Sequence, residues 1–159
     1  MTTKSDYTDE EWETLRRAPM VAGFAISLAD PGGPIELTKE TLASMKALGQ
    51  PGSEEELVVA VSQDAMAHVQ QHDKPMGDFK PKGATAGQQI LDELRKVNDI
   101  LTAKATSAEG AAFRAWLIAA AQASADAAKE GGFMGFHAVR VSEGEQAMLT
   151  QLRGVLGLS

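Results

Sequence analysis

Three residues that can bind a metal ion, Asp64, His68 and His72, follow one another at intervals of four within a predicted helix. Residues four apart lie on one helix face, and two histidines at that spacing can chelate zinc or a similar divalent ion. One ion reaches two of these side chains, whereas a zinc site normally has three or four protein ligands. The same residues would equally form a polar edge beside the apolar stripe of the helix, and we favour that interpretation.

A second unusual stretch is KEGGFMGFHAVRVSEGEQ, residues 129–146, which combines glycines with apolar side chains. Glycine-rich loops can bind phosphate, but this one contains neither G-x-G-x-x-G nor G-x-x-x-x-G-K-[ST], and no predicted strand precedes it. Gly131 or Gly132 can end the preceding helix in the left-handed conformation. Burial of Phe133 and Phe136 would stabilise the fold by roughly 1.5–3 kcal/mol each. We therefore predict a packed structural corner rather than a ligand site.

Catalytic chemistry finds little support in the sequence. The chain has no cysteine and no G-x-S-x-G motif, which excludes thiol chemistry and gives no sign of a serine nucleophile. Carboxylate pairs such as Glu143 and Glu145 point to different faces of a helix. The sequence therefore favours a binding or assembly role over an enzyme.

Length and charge narrow the class of protein further. A chain of 159 residues favours a single domain, 1–159. The net charge is −7, and Lys and Arg form no cluster that could displace counterions from nucleic acid. The uncharged runs 18–29 and 115–125 fall short of the ~20 residues that span a bilayer. The N-terminal residues lack the features of a signal peptide. We therefore expect a cytoplasmic protein that binds neither nucleic acid nor membranes.

The elements that would position these residues are predicted to be helices. Five capping boxes, in which Ser or Thr precedes Glu or Gln by three residues, each stand before a stretch of helical periodicity. They are Thr8/Glu11, Ser53/Glu56, Thr85/Gln88, Thr106/Glu109 and Ser142/Glu145. With a further start at Thr38, the fold class is all-α, a bundle of about six helices at 9–29, 39–48, 54–71, 86–103, 107–130 and 143–156. The longest irregular connection, 73–85, is predicted to be mobile, with only Met76 and Phe79 to anchor it.

Two parts of the chain, residues 8–48 and 106–156, share an outline. Each begins with a capping box and continues as a long helix rich in small residues. Each then has an acidic residue before a Gly-Gly pair, an aliphatic residue, a capping Thr or Ser, and an amphipathic helix. Either a duplication or the sequence features that helical hairpins have in common would produce this similarity, and both explanations remain open.

The connections of these two units carry a family resemblance. The acidic-x-G-G-x-I stretch at 30–35 and the V-S-x-x-E stretch at 141–145 resemble the TerB-like helical proteins of the tellurite-resistance group, over about half the chain. In that family a D-G-x-I-x-x-x-E pattern joins paired helices, and acidic residues have been linked to metal ions. The resemblance implies a carboxylate site at Asp30, Glu130 and Glu145, suited to a hard ion such as calcium.

Two functions follow as expectations. The first is a non-enzymatic protein of TerB-like type with a binding role in stress or ion handling, whose only cofactor would be a divalent metal ion. The alternative is a structural or interaction module without a small ligand, which self-associates as a homodimer. Ala- and Gly-rich faces such as residues 21–27 suit close helix packing, either within the protein or across a dimer.

Overall fold

The computed structural model describes residues 2–29, 34–129 and 142–158. In these ranges the regular structure consists of six α-helices and two short 3₁₀ turns, with no strand. The helices are α1 Asp9–Ala29, α2 Pro34–Gly49, α3 Glu56–Gln70, α4 Ala86–Lys104, α5 Ser107–Lys129 and α6 Glu143–Val155. The prediction of an all-α bundle of about six helices is confirmed.

Three of the predicted capping boxes form, those at Thr8, Thr106 and Ser142. At the start of α6, the Ser142 hydroxyl accepts a hydrogen bond from the Glu145 amide at 3.2 Å. The Glu145 carboxylate in turn accepts one from the Ser142 amide at 3.0 Å. These bonds satisfy amides that a helix start otherwise leaves without partners, which explains why the pattern marks the helix boundary so well.

The boxes predicted at Ser53 and Thr85 are wrong. Ser53 accepts instead from the amide of Glu55, two residues away, so α3 begins only at Glu56. A serine hydroxyl readily forms such a local turn in competition with a helix cap. At α4 a 3₁₀ turn, Gly83–Thr85, precedes the helix, and the Thr85 hydroxyl accepts from the side chain of Gln89 at 3.0 Å.

The second helix starts earlier than its apolar periodicity predicts. It begins at Pro34, whereas the sequence predicted a cap at Thr38 and a helix from residue 39. Proline suits the first helical position, because its φ angle is fixed near the helical value and its missing N–H would have no partner there. Pro34 is therefore the first residue of α2.

Helices α1 and α5 form the centre of the bundle, and each packs against the other five helices. On α5, the large side chains Phe113, Trp116 and Leu117 are buried, and the ring of Phe113 packs edge-on against that of Trp116, with 5.3 Å between the ring centroids. The Trp116 indole donates to the carbonyl of Ala47 in α2 at 2.8 Å. On α1, close approach to α2 requires a glycine, since a Cβ atom on Gly23 would lie 2.9 Å from that of Ser44.

Several sequence-based predictions fall outside the described residues. Residues 30–33 and 130–141 are among these, so the packed corner in 129–146 stays a prediction, as do both Gly-Gly connections of the proposed repeat. Residues 73–85 are described and consist of turns followed by the 3₁₀ turn, and their mobility stays a prediction. Within the described ranges, none of the helices has the length and apolar character needed to cross a membrane.

Candidate functional site

The histidine cluster predicted from the sequence is partly assembled on α3. The Nε2 atom of His68 lies 3.9 Å from the carboxylate of Asp64, one helical turn away. Its Nδ1 atom lies 2.7 Å from the carboxylate of Asp73, and Arg16 of α1 approaches Nε2 at 2.9 Å. Because a guanidinium only donates hydrogen bonds, Nε2 accepts from Arg16 and Nδ1–H donates to Asp73. Both ring nitrogens of His68 therefore have protein partners.

The carboxylate of Asp64 also has several partners from other elements. The indole of Trp12 donates to it at 2.8 Å, and the cations of Arg16 and Lys4 lie at 3.5 and 3.9 Å. Burial alone would raise the pKa of Asp64, but the indole hydrogen bond and the two cations together hold that pKa below its ordinary value. This carboxylate is thus part of a charged network between α1 and α3.

His72 does not join this network. It lies beyond the end of α3 with a φ angle of +63°, and the reversal of the chain there ends the shared helix face. Across the described residues, no group of three or more His, Asp or Glu side chains is arranged to hold a metal ion. Binding through His68 would require displacing Arg16 or Asp73, and a metal site at His68, His72 and Asp64 stays a prediction.

Of the three carboxylates implied by the TerB-like resemblance, only Glu145 belongs to the described residues. Its side chain is 4% exposed and closes the capping box of α6. Asp30 and Glu130 lie outside the described residues. The calcium-type site formed with Glu145 therefore stays a prediction.

A different feature of the surface has the form of a binding site. A groove of about 350 Å³ runs between α1, α2 and the connection that follows α3, and we call it the α1–α2 groove. It is lined by Met20, Gly23, Phe24, Ser27, Glu40, Thr41, Ser44, Lys74, Pro75, Met76, Gly77, Phe79 and Lys80. Its walls are almost entirely apolar. Ligand sites for small molecules commonly combine such walls with a few placed polar groups.

One wall of the groove follows from the spacing of residues on α1. Met20 and Phe24 are four apart and therefore lie on the same face of the helix. Gly23 beside them lets α2 come close, with Ser44 directly over it. The two helices consequently meet at the bottom of the groove, and the connection after α3 faces them across it.

The opposite wall is formed by the irregular connection. Its two apolar residues, Met76 and Phe79, are partly buried against the core, as their positions in an otherwise polar segment indicated. The guanidinium of Arg17 lies over the ring of Phe79 at 5.4 Å. The same guanidinium binds the buried carboxylate of Glu93 on α4 at 2.6 and 2.8 Å. Arg17 therefore joins this wall to the helical bundle.

Two polar side chains of the groove, Ser27 and Glu40, interact with each other at its floor. Glu40 is only 3% exposed, and the hydroxyl of Ser27 donates a hydrogen bond to its carboxylate. Ser44 is also buried, next to Gly23. A buried carboxylate needs such partners to remain in place. The floor of the groove therefore holds a buried carboxyl group that is hydrogen-bonded to Ser27.

On the other side of the connection lies a more polar depression of about 410 Å³. Its charged residues come in equal numbers of each sign, three acidic and three basic, apart from His68. They are Glu13, Asp73 and Asp78 against Arg16, Arg17 and Lys74. Because this lining mixes charges of both signs, it indicates no particular ligand, and the depression is the weaker candidate for a ligand site.

Comparison with known proteins finds no relative of this chain. No protein-family model, curated protein or solved structure matches this chain. The resemblance to TerB-like proteins depends on its short motifs alone, and the α1–α2 groove is the feature of the described residues from which a function can be inferred.

Sequence reasoning missed the groove for identifiable reasons. Met76 and Phe79 stood out as anchors, but nothing in the sequence indicated which helix they contact. Glu40 was one acidic residue among many, and its burial against Ser27 depends on how α1 and α2 pack. The pattern Met20, Gly23, Phe24 was a usable signal, because a small residue between two large ones on one face favours a close helix crossing.

Proposed function

We propose that this protein is a non-enzymatic binding protein that holds a small apolar molecule in the α1–α2 groove. The observation that carries the proposal is the groove itself. Its side walls are formed largely by Met20, Phe24, Met76 and Phe79, and at its floor Ser27 is hydrogen-bonded to the buried Glu40. Its volume lies at the lower end of the ~300–1,000 Å³ typical of small-molecule sites. A ligand of modest size would fill it.

The way the groove is closed supports binding rather than a purely structural role. One wall belongs to residues 74–80, which are held by two partly buried apolar side chains and by the contact between Arg17 and Phe79. An irregular connection with so few anchors can move aside to admit a ligand and return over it.

The expectations from the sequence fit within this proposal. A binding role in stress or ion handling in the cytoplasm, as the TerB-like resemblance implies, needs a site for a small ligand and no catalytic residues. The proposal includes no interaction with nucleic acid, in keeping with the net charge of −7. A divalent ion would be a separate ligand, since the groove contains one carboxylate and no histidine.

Binding of a neutral apolar probe tests this function. We expect isothermal titration of the full chain with decanol to give saturable binding at one site. Thr41→Trp places a bulky side chain at the rim of the groove and should weaken that binding at least tenfold. Leu42→Trp is the matched control, because Leu42 is next to Thr41 on α2 but does not line the groove. Equal loss in both variants, or no binding to the unmodified protein, would remove the groove as a ligand site.

A second candidate function, self-association, has one observation in its favour. Leu42 is 61% exposed and is the exposed large hydrophobic residue of the described part of the chain. A homodimer that covers the outer face of α2 would bury it. Sedimentation equilibrium tests this alternative: Leu42→Lys should convert a dimer to a monomer, and a monomeric unmodified protein would exclude it.

A further inference from the structure

We infer that the ligand of the α1–α2 groove is a free anionic amphiphile, a single alkyl chain that ends in a carboxylate or a similar anionic group. This inference rests on the proposed function and specifies the chemistry of its ligand. In this arrangement the alkyl chain lies between the apolar walls, and the anionic group lies at the rim.

The rim of the groove carries two lysines that form no ion pair in the described part of the chain. Lys74 and Lys80 both line it and are both exposed, and neither forms an ion pair with a described residue. Basic residues nearer the core do form such pairs, as Arg17 does with Glu93. Two exposed lysines beside an apolar cleft attract an anion to that place, even in a chain with a net charge of −7.

The floor of the groove fixes the direction of the ligand. At the floor, Glu40 and Ser44 are only 3% and 2% exposed. Placing the ligand's anionic group there would remove its charge from water, which is costly without a partner of opposite sign. The anionic group of the ligand therefore stays at the lysines, and the far end of its alkyl chain points inward along Phe24 and Met76.

The apolar walls indicate which kind of alkyl chain the groove would bind. Met20 and Met76 have flexible thioether side chains that adapt to irregular shapes, and such residues are common at surfaces that bind varied apolar ligands. Phe24 and Phe79 add flat apolar area on the two sides. A linear alkyl chain matches a groove with this lining better than a polar or highly branched molecule does.

Paired titrations of the full chain with decanoate, below its critical micelle concentration, and with decanol test the inference. The double variant Lys74→Gln/Lys80→Gln should weaken decanoate binding about three- to tenfold, the effect of two solvent-exposed ion pairs, and leave decanol binding unchanged. The matched control Lys46→Gln/Arg153→Gln removes the same charge from positions outside the groove and should change neither affinity. Decanoate binding should also weaken as salt is added, whereas decanol binding should not.

The other outcomes each overturn the inference in a recognisable way. If decanol and decyltrimethylammonium bind as tightly as decanoate, and the lysine variant changes nothing, the ligand is not anionic while the groove remains a binding site. If neither decanol nor decanoate binds, the proposed function falls with the inference. Binding to anionic vesicles without binding to free decanoate would indicate a membrane surface instead. A dimer that Thr41→Trp dissociates would indicate that a second copy occupies the groove.

Discussion

Replacing Arg17 by methionine should destabilise the protein and loosen one wall of the groove. The carboxylate of Glu93 is 3% exposed and accepts a hydrogen bond from Nε of Arg17 at 2.8 Å. Nη2 of the same guanidinium, which is 18% exposed, forms an ion pair with it at 2.6 Å. Removing one member of a buried pair costs about 3–5 kcal/mol, because a charge is left buried without its partner. Lys96 remains 3.6 Å from Glu93 and retains part of the compensation, so we expect a loss of about 2–3 kcal/mol.

Urea denaturation followed by circular dichroism measures this change. With a slope of about 2 kcal/mol per molar urea, the midpoint of Arg17→Met should fall by about 1 M while the slope stays constant. The double variant Arg17→Met/Glu93→Gln should recover most of the loss, since it leaves no buried charge, with a coupling energy of about 1–2 kcal/mol. Hydrogen exchange at residues 74–80 should be faster in Arg17→Met, because the contact with Phe79 is lost.

Two results would refute this reasoning. A loss below about 1 kcal/mol in Arg17→Met would mean that water or Lys96 already compensates the Glu93 carboxylate. Additive effects in the double variant would mean that the two side chains do not act as a pair. Unchanged hydrogen exchange at residues 74–80 would show that Arg17 does not hold this wall of the groove in place.

Three further predictions concern single residues. Burial raises the pKa of Tyr7, the only tyrosine in the chain, above its ordinary value of 10.0, so ultraviolet titration of the folded protein should show ionisation at higher pH than in urea. Stability from this residue is therefore present below pH 10 and lost as pH rises through the folded pKa, and equal titration curves would contradict its burial. The pKa of Asp64 is lowered below its ordinary value of 3.8, so Asp64→Asn should cost about 1 kcal/mol in unfolding free energy at pH 7. That cost should disappear as the pH falls below 3.8 through the folded pKa, and a cost independent of pH would show that the charge of Asp64 contributes nothing. Gly144→Ala should lower the melting temperature, because its Cβ would lie 2.8 Å from the carbonyl oxygen of Ala29, whereas Gly154→Ala on the same helix has open space and should not.

Local signals in the sequence predicted most of the helices. The capping boxes at Thr8, Thr106 and Ser142 involve residues three apart, so the sequence contains everything that determines them. The start of α2 was misplaced because Pro34 can either end one helix or begin the next, and periodicity alone does not decide between them. The confirmed elements are those whose determinants lie within one helical turn.

The candidate site depended on contacts between distant residues. The face shared by Asp64 and His68 was predictable from helical spacing, but the arrival of Arg16 from α1 was not. The groove depends on Gly23 meeting Ser44 and on Arg17 connecting Phe79 to Glu93, and these residues come from different elements. Spacing along the chain cannot show which helix faces will meet, so these features required the structure.

Methionine methyl NMR of the full chain during titration with decanoate tests the central claim most directly. Met20 and Met76 lie on opposite walls of the groove, while Met66 and Met148 pack elsewhere in the bundle and serve as internal controls. The proposed binding predicts saturable shifts of the Met20 and Met76 methyl signals at the same ligand concentration, with the Met66 and Met148 signals unmoved. Shifts of Met66 and Met148 alone, or of no methionine up to the micelle limit, would contradict binding in the α1–α2 groove.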